Sequence, residues 1–240
     1  MKLLISPKNV EEAKTTIDAG VEFIDCKNPE EGSLGANFPW IIKRMKELIP
    51  SNSNQLLSAT IGDFPYLPGS ASLAAFGAAK SGADIIKVGL KGPRNEGEGI
   101  EIMKNVVKAV RNMDKKVQIV TAGYADKVRM NTSLEYLSIP VVAHQSGSDI
   151  AMLDTFIKDG KGLFDFLSVD ELLKFKELAE DYNLKIALAG NLRSKDLGKI
   201  KEISPEIIGI RSAVCQNFDR NKGKIKSDLI INLKKQLIES

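Results

Sequence analysis

The chain has 240 residues, 43% of them hydrophobic and 27% charged, which supplies one large core and excludes a disordered or collagen-like protein. Its 34 basic and 31 acidic residues leave a net charge of only +3, too weak a field to point to nucleic acid or a membrane surface as partner. Cys26, Cys215 and the lone His144 lack metal-ligand spacing, so a reduced, intracellular protein with neither metal nor cofactor is expected.

The N-terminal apolar stretch is too short for a signal peptide, and no run approaches the roughly 18 residues of a membrane span. A cytoplasmic location is therefore expected. Eight short, β-branched-rich runs follow one another: Lys2 to Ser6, Phe23 to Lys27, Leu56 to Ile61, Asp84 to Gly89, Val117 to Ala122, Asp149 to Asp154, Lys185 to Gly190 and Ile207 to Ser212. Amphipathic helical segments at 9–19, 39–49, 69–81, 99–112, 169–182 and 194–202 lie between them, with a shorter helix around His144 bounded by Pro140 and Gly147. Strand and helix alternating over this length predict a single-domain α/β fold, the TIM (β/α)8 barrel. A breaker cluster at 62–69 and a Gly-rich loop at 90–99, mobile over the barrel mouth, are the main interruptions.

A weak repeat aligns the even-numbered strands. Gly20-Val21-Glu22, Gly82-Ala83-Asp84 and Gly147-Ser148-Asp149 each stop a helix and start a strand. Counted from that glycine, positions +5 and +7 are Asp25 and Lys27, Lys87 and Gly89, and Met152 and Asp154; strand eight adds Gly209 and Arg211. Positions two apart share a strand face, so these residues are expected to meet in one layer at the C-terminal mouth, where barrel active sites lie. A layer holding Asp25, Lys27, Lys87, Asp154 and Arg211 is unusual, because barrel interiors are ordinarily filled by Val, Ile and Leu. Buried charges require pairing, and desolvation moves a lysine toward a usable amine nucleophile. A second nearby ammonium would assist by lowering the first amine's pKa.

Each residue also has a plainer reading. Lys27 could snorkel to water, and Lys87 could sit in a purely structural ion pair. Lys158 pairs with Asp154 if 155–158 forms a turn, and is otherwise a solvated loop residue. After strands seven and eight, Gly190, Asn191, Arg211 and Ser212 are candidates for a phosphate grip, although turn chemistry alone accounts for Gly190. Cys26 should face the helices as a small core residue, and His144 should pack on its helix surface.

Several segments together resemble the archaeal (5-formylfuran-3-yl)methyl phosphate synthases of methanofuran biosynthesis. They are Leu3-Leu4-Ile5-Ser6-Pro7, Asp25-Cys26-Lys27-Asn28-Pro29-x-x-Gly32-Ser33-Leu34-Gly35, Thr60-Ile61-Gly62-Asp63, Ile86-Lys87-Val88-Gly89, and Leu153-Asp154-Thr155 with Lys158-Asp159-Gly160. The resemblance implies a barrel lyase that condenses two molecules of glyceraldehyde 3-phosphate, with loss of one phosphate and two waters. It further implies a Schiff base at Lys27, Lys87 as proton acceptor, and Asp25, Asp154 and Lys158 as the remaining charged groups. Two rivals stay open: a phosphosugar decarboxylase or epimerase using Asp25-x-Lys27 without a covalent bond, and a non-catalytic phosphometabolite-binding protein. A homo-oligomer is expected, because outward apolar residues on barrel helices commonly support one.

Overall fold

The computed structural model describes residues 1–238. Eight parallel strands close into a barrel in sequence order: β1 (Lys2–Ile5), β2 (Phe23–Cys26), β3 (Leu56–Phe64), β4 (Ile85–Leu90), β5 (Gln118–Tyr124), β6 (Ile150–Asp154), β7 (Lys185–Leu188) and β8 (Ile207–Ile210). The ring closes where Leu4 pairs with Gly209 across β1 and β8. Eight α-helices surround it: α1 (Val10–Asp18), α2 (Pro39–Leu48), α3 (Pro68–Lys80), α4 (Glu96–Arg111), α5 (Ser138–Ser146), α6 (Val169–Asp181), α7 (Leu197–Ile203) and α8 (Ser227–Ile238). No described helix is long and apolar enough to cross a membrane.

Strand alternation divides the buried side chains into two cores. Leu3, Ile5, Ile86, Val88 and Ile119 face the helices, whereas Leu4, Ile85, Val120, Ala122, Ile150 and Met152 fill the lumen. Cys26 belongs to the outer core, where burial pushes its thiol up to about 12 and keeps it an inert packing group. His144 stacks on Tyr182 with ring centroids 4.3 Å apart, and Gly147 ends its helix in the left-handed conformation at φ +80°, as expected for this segment.

Two expectations need correction. Gly97 and Gly99 do not lie in a mobile loop: Asn95 caps the amide of Glu98 at 3.0 Å, so α4 begins at Glu96. Gly99 is buried against Leu134 and Val142, where a methyl group would crowd both side chains. Likewise β3 does not end at Ile61. Gly62, at φ +130°, makes a bulge between Thr60 and Asp63, and the strand resumes pairing at Asp63 and Phe64. That bulge carries Asp63 to the barrel mouth.

Candidate active site

The mouth is half closed by the segment that follows β2. Leu34 is fully buried in the lumen core beside Tyr124. Three bonds hold it there: the Leu34 amide donates to Asp63 Oδ1 at 3.1 Å, Ser33 Oγ to the Thr155 carbonyl at 2.8 Å, and Thr60 Oγ1 to the Gly35 carbonyl at 2.6 Å. Tyr124 Oη donates to the same Asp63 carboxylate from below. The Gly-Ser-Leu-Gly run is therefore a plug, and the open half of the mouth is left to β1, β2 and β6 through β8. Gly35 has no room for a side chain, because a Cβ would collide with the Asn28 carbonyl and with Glu31. Gly35→Ala is expected to destabilise the fold by about 1–3 kcal/mol through overpacking and to lower turnover by loosening the turn beside Lys27, read by urea unfolding and initial rates.

The open half is a cavity with about 400 Å³ of space between atoms, part of it open to solvent. All nine residues singled out by the sequence, from Asp25 and Lys27 to Arg211 and Ser212, line it. They do not form one layer. Positions +5 and +7 are two residues apart, about 6.6 Å along a strand, and make two tiers. The lower tier holds Asp25 and Lys87, with Met152 and Gly209; Lys87, Met152 and Gly209 also border the apolar lumen beneath. The upper tier holds Lys27, Asp154 and Arg211.

In the lower tier Lys87 Nζ lies 2.7 Å from Asp25 Oδ1, in an ion pair whose angles fall outside hydrogen-bond geometry. Ser6 Oγ donates to Asp25 Oδ2 at 2.8 Å. Both charged side chains are removed from solvent, at 2% and 0% exposure, so neither has water to compensate for a lost partner. In the upper tier the chain turns after β6, and Lys158 Nζ returns to Asp154 Oδ1 at 2.6 Å, the arrangement that a 155–158 turn predicts. Asp126 shapes this turn by accepting the amides of Phe156 at 2.6 Å and Ile157 at 2.9 Å. Burial alone would raise the Asp154 carboxyl, but the charges of Lys158 and Lys27 and hydrogen bonds from Lys158 and the Thr155 amide hold it at about 2.

Lys27 differs from these two lysines. It is 7% exposed and makes neither an ion pair nor a hydrogen bond among the described residues. Burial lowers its pKa from 10.5 to about 8; Asp154 and Asp25 oppose that shift, and Lys158 and Lys87 add to it. Desolvation is thus the main cause, and Lys87 is the weakest of the four charged neighbours.

Around the phosphate candidates, Gly190 sits at φ +108° with its carbonyl accepting the Leu163 amide at 2.9 Å, so turn chemistry does demand a glycine there. Asn191 donates to the Gly160 carbonyl at 2.5 Å, tying the loop after β7 to the one after β6. The Arg211 guanidinium is largely engaged: Nη1 donates to the Ser6 carbonyl at 2.6 Å and Glu12 Oε2 at 2.9 Å, and Nε to the Arg220 carbonyl at 3.2 Å. Its Nη2 is buried without a partner. Sequence reasoning missed Ser6, Glu12, Asp63, Tyr124 and Arg220; of these, Ser6 and Asp63 stood inside segments that carried the family resemblance.

A sequence profile of the family described as 4-HFC-P synthase matches residues 3–234. A (5-formylfuran-3-yl)methyl phosphate synthase from Methanocaldococcus jannaschii is 52% identical over 234 residues, covering 98% of each chain. One from Methanothermobacter thermautotrophicus is 51% identical over 237 residues, covering 99% of each. Among solved structures, the barrel is similar to 3-hexulose-6-phosphate synthase from Salmonella typhimurium, with TM-score 0.67 and 14% identity over 100% of this chain and 99% of that one. It is also similar to KGPDC from Streptococcus mutans, with TM-score 0.65 and 12% identity over 99% and 97% of the two chains. At such identities these structures attest the fold.

Proposed function

The chain belongs to the 4-HFC-P synthase family, and from that premise we propose that this synthase makes (5-formylfuran-3-yl)methyl phosphate from two molecules of glyceraldehyde 3-phosphate through an imine at Lys27. The observation that carries the imine is the state of Lys27: buried, unpaired among the described residues, lining the cavity, and with its pKa lowered to about 8. Imine formation needs a neutral amine. At pH 7 about one amine in ten is neutral at that pKa, against roughly one in three thousand for an unperturbed lysine. Lys87 and Lys158, each held by a carboxylate within 2.7 Å, are poor candidates for that attack.

The remaining roles follow from the tiers. One triose phosphate, in its ketone form, condenses with the Lys27 amine and releases water. Loss of a proton from the neighbouring carbon gives an enamine. Lys87 is the proton acceptor in this reading, passing a proton it holds to Asp25, 2.7 Å away, as it takes the one from carbon. The enamine carbon then attacks the aldehyde of the second triose phosphate. Asp154, kept ionised, and Lys158 move protons during ring closure, elimination and release of the amine. Over the cycle two triose phosphates lose one phosphate and two waters. Gly190, Asn191, Arg211 and Ser212 form the wall that holds the phosphate of the imine-bound triose, with Arg211 Nη2 as an unmet donor.

The test is incubation with glyceraldehyde 3-phosphate while following a furan-aldehyde ultraviolet band and released phosphate, with borohydride reduction of a parallel sample. A band, one phosphate per furan, and triose mass fixed on Lys27 are expected. Furan without any trapped mass would favour the non-covalent Asp-x-Lys chemistry instead.

A further inference from the structure

Two substrates bring two phosphates, and the inner cavity is short of positive charge for them. Lys87 faces Asp25, Lys158 faces Asp154 and Arg211 faces Glu12, while Lys27 must shed its proton to react. The exception is Arg220, half-buried on the cavity wall, whose guanidinium makes no hydrogen bond or ion pair among the described residues. Its loop is firmly built. Cys215 and Ile225 bridge its ends, Asp219 accepts the amides of Asn221 at 2.8 Å and Lys222 at 3.1 Å, and Arg211 Nε holds the Arg220 carbonyl.

Arg220 also lines a second, outer recess, which shares Lys158, Asn191 and Ser212 with the inner cavity. The outer recess adds Lys161 and Arg193. Its carboxylates are occupied: Asp159 is paired with Arg129 at 2.7 Å, and Asp219 is bonded to its own loop amides. Arg193 reaches the Gly160 carbonyl at 3.3 Å, and the Lys161 ammonium has no partner among the described residues. Cationic groups thus outnumber available anionic ones around a hollow that shares a wall with the cavity lined by the reacting amine. A phosphate dianion matches such a site, and a guanidinium can meet it with two parallel hydrogen bonds.

We propose that the outer recess is the subsite for the phosphate of the second triose phosphate, and that Arg220, on the wall shared by the two hollows, grips it. Arg211 acts on that phosphate as a positioning residue, through the Arg220 carbonyl. This rests on the reading of the chain as a synthase consuming two triose phosphates.

The variants Arg220→Ala, Arg220→Lys and the exposed pair Lys161→Ala/Arg193→Ala separate the possibilities. In each, borohydride should still fix one triose on Lys27, because the first substrate binds in the inner cavity. The glyceraldehyde 3-phosphate concentration for half-maximal furan formation should rise about tenfold or more in Arg220→Ala and in the double variant, with partial recovery in Arg220→Lys. Inorganic phosphate should raise the Tm of the unaltered protein and do so less in Arg220→Ala. Half-saturation within twofold of the unaltered protein in both alanine variants would overturn the proposal, as would a fall in kcat alone. Failure of the unaltered protein to make furan would defeat the synthase reading instead, and the phosphate-dependent Tm shift would still report on the recess.

Discussion

Lys27→Arg is expected to abolish furan formation, a loss on the order of 10⁴-fold in kcat, and to leave no mass trapped by borohydride, although the positive charge is kept. A guanidinium stays protonated and cannot form the imine. Lys27→Met should be equally inactive but more stable. The folded-state pKa of Lys27, about 8, lies below its ordinary 10.5, so between those values the unfolded chain binds more protons and stability rises with pH. Below pH 8 the folded protein carries the whole penalty of a buried ammonium, which a shift of this size puts at about 3 kcal/mol. Lys27→Met should recover up to that amount in urea unfolding at pH 7, and the advantage should fade as pH rises from about 8 to 10.5. The same titration predicts that kcat/KM of the unaltered protein climbs with pH and levels off above about 8. A flat profile across that range, or a Lys27→Met protein less stable at pH 7, would mean that burial does not lower the pKa of Lys27.

The barrel and most of its mouth were legible because helix-stopping glycines reset the phase of the even strands. Gly20, Gly82 and Gly147 all adopt positive φ, and of the residues counted from them all but Gly89 line the cavity. The count is blind to height: it places Asp25 with Lys27 on one face without showing that Asp25 belongs to Lys87 a tier below. Residues recruited through irregular geometry escaped it. Asp63 reaches the mouth only because Gly62 bulges β3, and the partner of Arg211 is Glu12, 199 residues away on the buried face of α1. Arg220 stands in a loop with no periodicity, where a lone arginine carries no signal until its neighbours' charges are seen to be matched. Lys158 was foreseeable because its partner lies four residues back across a single turn.

Lys87 and Asp25 should behave in the opposite sense to Lys27 when replaced. Asp25→Asn leaves the Lys87 ammonium without a counter-charge at 2% exposure, and Lys87→Met leaves Asp25 with the Ser6 hydroxyl as its only hydrogen-bond donor among the described residues. Removing one member of a buried ion pair costs about 3–5 kcal/mol, because the desolvation already suffered by the survivor is no longer offset. Each single variant should therefore lose about that much in urea unfolding, while the double variant Asp25→Asn/Lys87→Met loses clearly less than the sum, since no buried charge remains. All three should be inactive if the pair supplies the proton acceptor. The cycle separates chemistry from packing: stability returns in the double variant and turnover does not. Additive losses would show the two charges to be independently solvated, and the lower tier would then be no pair. The contrast with Lys27 is what the two tiers require. A charge held for proton transfer is matched by a carboxylate and stabilises only as part of that match, whereas an amine held for covalent attack is left unmatched, and the fold is less stable for keeping it so.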